Sequence, residues 1–390
     1  MSGIHAVTVV TITGAFVFGM VLALVGSLKL SLAKRLGIGE ARVGGLLSAL
    51  HLAFIPMMLL SGLLIDRFDV RLVLVLGCVL TAGAFYALTV RETYSAALLA
   101  MLLAGVGAAC VSTACVVLMP RAFFEGDERK VSAALNLGTV FIALGSLVTP
   151  TLADVLLRTV DFRRTLGLLA LLCLVPAVVV ATQLNAGGQF QLAPHAYDPG
   201  AVLGDPRLWL AGLVFFVYGP LEFAVGTWAT TYLIDLGYKE RRAAWLLSGF
   251  WLTFLAARVL MAFLEERGTL RSGSEYWLIP ILGLLAAVIL GNLAGAATYG
   301  RGALGLLVLG AVLGPIFPTL IGILFDVFKH DRPRGTAYGA MFAIGSMGSL
   351  ILAPLIGSYA RGKTVQQALR IPMVLALVMA GVAIVLGLMK

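Results

Sequence analysis

The stretch FVYGPLEFAVGTW, residues 216–228, repeats the pattern of FVFGMVLALVGSL, residues 16–28, at a shift of 200 positions. From residue 16 to residue 67 the same shift gives 17 identical residues in 52 positions, without a gap. This agreement is stronger than a shared apolar composition explains. A repeat of this length within 390 residues predicts two halves built to one plan.

The composition is that of a protein with many membrane helices. Hydrophobic residues make up 60% of the chain and charged residues only 12%, against about 25% charged in soluble domains. The net charge of +9 falls in short loops, which favours contact with anionic lipid headgroups over nucleic acid. The four cysteines lie singly in apolar runs, and we find no Walker motif, catalytic triad or metal-ligand set. We therefore expect no enzyme activity, cofactor or metal.

The apolar runs are long enough to count the membrane crossings, since a crossing helix needs about 20 mostly apolar residues. Such unbroken runs favour helices over the short alternating strands of a β-barrel. We predict twelve spans, at roughly 6–30, 43–65, 70–90, 94–119, 131–157, 164–183, 207–236, 242–264, 276–297, 302–325, 336–359 and 368–389.

The longest polar stretch between spans, residues 184–206, separates six spans from six. We predict an N-terminal half at 1–183, a cytoplasmic linker at 184–206 and a C-terminal half at 207–390. Because the shift is an even number of spans, the halves have the same topology. The predicted fold is an all-α polytopic bundle with a parallel pseudo-twofold repeat along the membrane normal.

The loop after the second span carries a recognisable motif, GLLIDRFDVR at residues 62–71. It resembles the Gly-x-Leu-Ala-Asp-Arg-x-Gly-Arg-Arg loop motif of the major facilitator superfamily. Asp69 and Val70 depart from that pattern, and the matching residues are Gly62, Leu64, Asp66, Arg67 and Arg71. In that family this loop faces the cytoplasm. The resemblance therefore implies an inner-membrane protein with both termini cytoplasmic, which the loop charges alone do not decide.

The residues of this motif suggest a latch between the two halves. Gly62 would let two helices approach closely, and Asp66 near the start of the third helix would pair with Arg67 or Arg71. The alternative is a solvated turn that serves only topology. Arg258 resembles a basic residue that the family often has in its eighth span. We group it with the latch, with a substrate role as the alternative.

The second half is most similar to the fucose/glucose–galactose proton symporter group of this superfamily. The segments that carry this resemblance are YGPLEFAVGTWATTYL, residues 218–233, and residues 315–357. The resemblance implies a secondary transporter. The acidic residue that those symporters have in the first or fourth span has no counterpart here.

Glu222 is the leading candidate for a substrate or proton site, because ionisable residues within spans are rare and usually functional. Tyr218 lies one helical turn before it and can donate a hydrogen bond. Pro220 frees a backbone carbonyl beside it, which predicts a broken seventh helix. His51 and Trp228 are further candidates. The alternatives are a Glu that pins two helices, a packed histidine and an interfacial tryptophan. For Asp154 and Arg158 we predict an i,i+4 pair.

These observations predict a secondary active transporter that moves a small organic solute by alternating access, with proton-coupled uptake favoured. Few strongly polar side chains lie in the spans, which favours a modestly polar or amphipathic solute. One alternative is proton-driven export of a hydrophobic drug or lipid-like solute, and another is a non-transporting receptor on the same fold. The expected partners are the solute, protons and the lipid bilayer, and we expect a monomer.

Overall fold

The structure is a computed structural model, and it describes residues 3–183, 190, 198–270, 273–295, 298–329, 333–360 and 364–390. Among these residues, twelve helices are long and apolar enough to cross a membrane. The predicted number of spans and the all-helical fold class are confirmed. Most of the predicted linker, residues 184–206, lies outside the described residues. Its final part contains a short helix, Pro199–Leu203.

The chain forms two compact units. The first consists of Met1–Val202 together with Phe328–Gly339, and the second of Leu203–Val327 together with Ala340–Lys390. The segment Phe328–Gly339 lies in the second half of the sequence but packs with the first unit.

The first unit contains six spans, several of which begin at an identifiable capping residue. Asp69, Thr93 and Asp161 each accept a hydrogen bond from a backbone N–H in the first turn of the helix that follows, a common way to satisfy those free donors. The six helices are Gly3–Ser27, Glu40–Arg67, Val70–Val90, Tyr94–Phe124, Val131–Thr159 and Phe162–Thr182.

The second half of the chain contributes the other six spans. The seventh span starts with an Asp205 cap, Pro206 in the first turn and an Asp205–Arg207 ion pair at 2.7 Å. The spans are Pro206–Asp235, Glu240–Glu266, Glu275–Ala294, the helix pair Tyr299–Leu313 and Ile316–Val327, Arg334–Ala360, and Arg370–Leu388.

The 200-residue repeat is visible in the backbone. Gly37 follows the short helix Lys29–Leu36 after the first span, and Gly237 lies just after the seventh span, Pro206–Asp235. Their φ values are 61° and 94°. Because this left-handed region suits glycine far better than residues with a Cβ, the two halves use the same residue for the same turn. Glu40 and Glu240 then begin the next span in each half.

The predicted break in the seventh helix is wrong, because Pro206–Asp235 continues through Pro220. The interruption lies in the tenth span, at Gly314–Pro315. A single proline removes one backbone donor, and several spans here contain one without interruption. The tenth span has Pro315 and Pro318 only three residues apart. Two donors lost within one turn account for the break.

Candidate functional site

Glu222 lies on a distinct stripe of the seventh span. Phe215, Gly219, Glu222 and Gly226 recur at the three- and four-residue spacing of one helix face. All four are half-buried, whereas Phe223 and Thr227 on the adjoining face are exposed. The stripe therefore sits between the packed face and the exposed face of this helix.

Two glycines bring neighbouring spans close to Glu222. A Cβ atom on Gly219 would lie 3.0 Å from Oγ of Ser349, and one on Gly226 would lie 3.1 Å from the ring of Trp251. Ser349 comes from the eleventh span and Trp251 from the eighth, and both are half-buried. Along the helix, Glu222 therefore lies one turn after the glycine that faces this hydroxyl and one turn before the glycine that faces the indole ring.

Arg258 of the eighth span supplies the positive charge. Its side chain is only 6% exposed. Its Nε donates to the carbonyl oxygen of Gly314 at 2.8 Å, and its guanidinium lies 4.6 Å from the ring centre of Phe254. It also interacts electrostatically with Glu222 and Tyr218. A buried arginine requires such partners, because an unpaired charge in this setting is costly.

Tyr218 completes what we call the charged cluster, namely Tyr218, Glu222 and Arg258. Its hydroxyl donates to the carbonyl oxygen of Leu313 at 3.0 Å, and it also lies close enough to interact with the Glu222 carboxylate. Tyr218 is fully buried. The hydroxyl has one proton, and the Leu313 carbonyl that accepts it is a partner that the sequence did not indicate.

The break in the tenth span explains why these two donors point there. Pro318 has no N–H for the carbonyl of Gly314, four residues earlier, so that oxygen needs another donor. Arg258 supplies it. Leu313 ends the first segment of this span, and Tyr218 donates to its carbonyl. The charged cluster therefore donates to two carbonyls at the break.

The position of Arg258 differs from the grouping made on the sequence. We placed Arg258 with the latch of residues 62–71, but the structure places it beside Glu222 in the second unit. The sequence Gly-Pro-Ile-Phe-Pro at 314–318 could have indicated this position of Arg258. Its prolines leave carbonyls without a helical donor, and such carbonyls within a membrane span need buried donors from side chains.

An aromatic group continues the stripe away from Glu222. The ring centre of Phe215 lies 4.8 Å from that of Phe317 and 5.0 Å from that of Phe342, and the last two are 5.9 Å apart. All three are half-buried. Spacings of this size are typical of favourable edge and tilted contacts.

The remaining predicted site residues lie elsewhere. His51 belongs to the first unit and is exposed, with Nδ1 2.9 Å from the carbonyl oxygen of Leu47 in its own helix. Trp228 is half-buried but lies off the stripe, and the tryptophan that adjoins the stripe is Trp251. Trp251 is the repeat counterpart of His51, at a shift of 200.

The motif loop makes different contacts from those predicted. Asp66 lies in the last turn of the second span, not at the start of the third. Its buried carboxylate accepts from the backbone N–H groups of Gly335, at 3.0 Å, and Thr336, at the beginning of the eleventh span. A negative charge at a helix N-terminus is favourable. A Cβ atom on Gly62 would collide with the Gly335 carbonyl, so this glycine permits the close approach.

The predicted pairing of Asp66 with Arg67 or Arg71 is wrong. Arg71 pairs with Asp69 at 2.6 Å, and exposed Arg67 stacks on Phe68. An acid at 69, where the family motif has glycine, takes the arginine that would otherwise be available to Asp66.

An ion pair also holds the same helix start. The guanidinium of Arg334 makes two contacts with the carboxylate of Glu128, one of them at 3.0 Å, and also donates to the carbonyl of Phe328. Bidentate pairs of this kind are stronger than single ones. We call Gly62, Asp66, Glu128, Arg334 and the helix start at 335–336 the latch contact.

Asp154 and Arg158 form the predicted exposed i,i+4 pair, at 2.9 Å. Within the described residues, no group of three or more His, Cys, Asp or Glu side chains has the arrangement of a metal site.

The described residues thus form a helical bundle with twelve candidate membrane spans and a charged cluster against a broken span. The sequence profile of the Major Facilitator Superfamily matches residues 11–353, and the chain belongs to this family.

The chain is also similar in sequence to named transporters. The vesicular acetylcholine transporters of Rattus norvegicus and Homo sapiens are each 26% identical to the chain, with 77% of it aligned. The chain spans only 57% of the length of those relatives.

Solved structures show the same fold at low identity. The E. coli fucose:proton symporter FucP has a TM-score of 0.72 and 17% sequence identity to this chain. The superposition covers 96% of this chain and 97% of the FucP chain. The human organic anion transporter MFSD10 has a TM-score of 0.76 and 16% identity, with coverage of 98% and 100%.

Proposed function

We propose that this chain is a proton-coupled secondary transporter of a small organic solute, with Glu222 as the group that takes up the proton. The observation that carries the proposal is the carboxyl of half-buried Glu222 beside a buried arginine and a broken helix. A carboxyl group removed from bulk water next to a fixed positive charge is poised to change its protonation state.

The charged cluster gives the proton a structural consequence. When Glu222 is ionised, it attracts Arg258, whose Nε also holds the freed carbonyl of Gly314. Protonation removes that attraction, and the Gly314 carbonyl is then the partner of Arg258 that remains in this group. The strength of the hydrogen bond from Arg258 to the tenth span would therefore depend on whether the proton is bound, as coupling of proton binding to a conformational change requires.

The latch contact would provide the other control point. Asp66 and Glu128 of the first unit hold the start of the eleventh span, a helix that continues into the second unit. Release and re-formation of this contact would accompany alternating access of the two halves. A cytoplasmic latch also fits our proposal of an inner-membrane monomer with both termini cytoplasmic.

Uptake by proton symport is the first form of this proposal, as the sequence predicts. The second candidate is proton-driven export of a hydrophobic or amphipathic solute. The similarity to vesicular acetylcholine transporters favours this alternative, because acetylcholine is an organic cation with an apolar body.

Transport in proteoliposomes with an imposed pH gradient tests the proposal. Candidate solutes would be screened first by thermal shift across sugars, carboxylates, nucleosides and lipophilic amines. Wild type should respond to the gradient, and Glu222→Gln should lose that response. Asp154→Asn, at an exposed pair, is the matched control and should behave as wild type. Unchanged pH dependence in Glu222→Gln would show that the proton site lies elsewhere.

A receptor on the same fold would tolerate a fixed conformation. Replacing Glu128 and Arg334, which form the ion pair of the latch contact, by cysteines and bridging these with a reducible bifunctional thiol reagent should abolish transport, and reduction should restore it. Full function in the cross-linked protein would argue against alternating access.

A further inference from the structure

We infer that the solute of this site is an organic monocation with an apolar body, and that it competes with the proton for Glu222. This inference rests on the proposed function and deepens it by naming the class of solute. It starts from which hydrogen-bonding groups of the site are already engaged and which remain accessible.

The buried donors of the charged cluster are directed at backbone. Tyr218 donates to the carbonyl of Leu313, and Nε of Arg258 donates to that of Gly314. Both side chains are buried, at 1% and 6% exposure. A solute that reaches the stripe would therefore not meet the guanidinium first.

The half-buried polar residues at the stripe offer acceptors. Glu222 is half-buried, and its carboxylate has only acceptor oxygens when ionised. The Ser349 hydroxyl, which can also accept, lies against Gly219, one turn before Glu222. An ammonium group offers a charge and, when it carries protons, donors that match these oxygens. An anionic solute would face the carboxylate, and a sugar would need more donors than this stripe presents.

The apolar surroundings of Glu222 are aromatic. Trp251 lies against Gly226, one turn beyond Glu222, and the rings of Phe215, Phe317 and Phe342 cluster two turns before it. Faces of aromatic rings attract organic cations, and tryptophan does so most strongly. A carboxylate flanked by half-buried aromatic rings is a combination suited to a cation with an apolar body.

Arg258 makes the proton and the cation exclude one another. The charged groups that act on Glu222 are Arg258 of the eighth span and, more weakly, Tyr218 of its own helix; the neighbouring residues of the tenth and eleventh spans named above are aromatic or hydroxyl side chains. With Glu222 ionised, the pair is neutral and can accept one positive charge. With Glu222 protonated, a bound cation would meet Arg258 with no anion between them, which is unfavourable at low dielectric.

Mutual exclusion predicts exchange rather than symport. One proton and one monocation each bring the cluster to the same net charge, so a one-for-one exchange moves no net charge. This inference therefore favours the second candidate function, export driven by proton exchange, and predicts transport that does not respond to membrane potential.

The test uses two probes of the same shape and opposite charge, tetraphenylphosphonium and tetraphenylborate, with the full chain in detergent. Tetraphenylphosphonium should bind, should bind more weakly as the pH falls, and should release about one proton per cation in weakly buffered solution below the midpoint of that pH dependence. Tetraphenylborate should not compete with it. Glu222→Gln should abolish the proton release, and Trp251→Leu should weaken binding by about 3- to 10-fold while preserving it.

Equal binding of both probes, or cation binding without proton release, would overturn the inference. A potential imposed on proteoliposomes gives an independent check, since voltage-dependent uptake of the cation would exclude one-for-one exchange. Failure here is distinct from failure of the proposed function. If tetraphenylphosphonium does not bind while pH-driven transport of another solute still requires Glu222, only the solute class is wrong.

Discussion

The two halves differ most at the place where the repeat puts the charged cluster. At a shift of 200, Tyr218, Glu222 and Arg258 correspond to Phe18, Leu22 and Met58. In the first half Phe18 stacks on Phe54 at 5.8 Å, and Met58 is fully buried. The same scaffold therefore holds apolar packing in one half and a charged pair in the other.

The fourth and tenth spans differ in the corresponding way. The fourth span, Tyr94–Phe124, is one unbroken helix. The tenth span, the fourth of the second half, is interrupted at Gly314–Pro315. The half with the break is the half with the arginine and the tyrosine that satisfy its carbonyls. The comparison teaches that the cluster and the break depend on each other, which can be tested by moving residues between halves.

The largest effect is expected from Arg258→Met, which imports the first-half residue. Glu222 and the Gly314 carbonyl both lose their charged partner, and breaking a buried pair typically costs about 3–5 kcal/mol. We expect a marked loss of thermal stability in detergent and no transport. The double variant Arg258→Met with Glu222→Leu should recover much of the stability but not the transport, because apolar replacement of both partners is often neutral. No recovery in the double variant would mean that the pair is not the source of the loss.

Asp66→Asn is expected to have the second-largest effect. It removes the negative charge at the start of the eleventh span and weakens two backbone contacts, for about 1–2 kcal/mol. The matched control is Glu266→Gln, at the repeat position of Asp66, where the side chain is exposed. That variant should change stability by less than about 0.5 kcal/mol. Equal effects in the two variants would show that Asp66 is not part of a specific latch.

Tyr218→Phe, again a first-half residue, should cost about 1 kcal/mol, because the Leu313 carbonyl loses its donor. Tyr232→Phe is the control, since Tyr232 lies on the same helix and donates to the carbonyl of Leu293 at 3.2 Å. Thermal unfolding should show similar losses for both. Only Tyr218→Phe should alter the pH dependence of transport, and a shared pH response would contradict a role for Tyr218 at the proton site.

The smallest effect is expected from Asp154→Asn. The Asp154–Arg158 pair is exposed on both sides, and such pairs contribute about 0–1 kcal/mol. Stability and transport measured in proteoliposomes should both match wild type. A clear loss of transport would locate a functional acid in the first half and weaken the contrast between the halves.

The fold could be predicted from the sequence because long apolar runs and a gapless repeat need no knowledge of contacts. Glu222 was also identifiable, since an acid within an apolar span is rare. The partners of Glu222 and Asp66 could not be identified from the sequence. Arg258 is 36 residues from Glu222, and the Asp66 contact joins positions 269 and 270 residues apart. The motif suggested nearby arginines for Asp66, but Asp69 competes for Arg71, and a helix N-terminus supplies the buried carboxylate with backbone donors instead.

The break at Gly314–Pro315 also bears on how the protein is made. A span whose break leaves carbonyls without a helical donor is poorly suited to lie alone in lipid, where no water can satisfy them. Tyr218 and Arg258 precede Leu313 and Gly314 in the chain, and synthesis proceeds from the N-terminus. The seventh and eighth spans can therefore be in the membrane, with their donors present, before the tenth emerges. We expect the order of the helices along the chain to protect the weakest span during insertion.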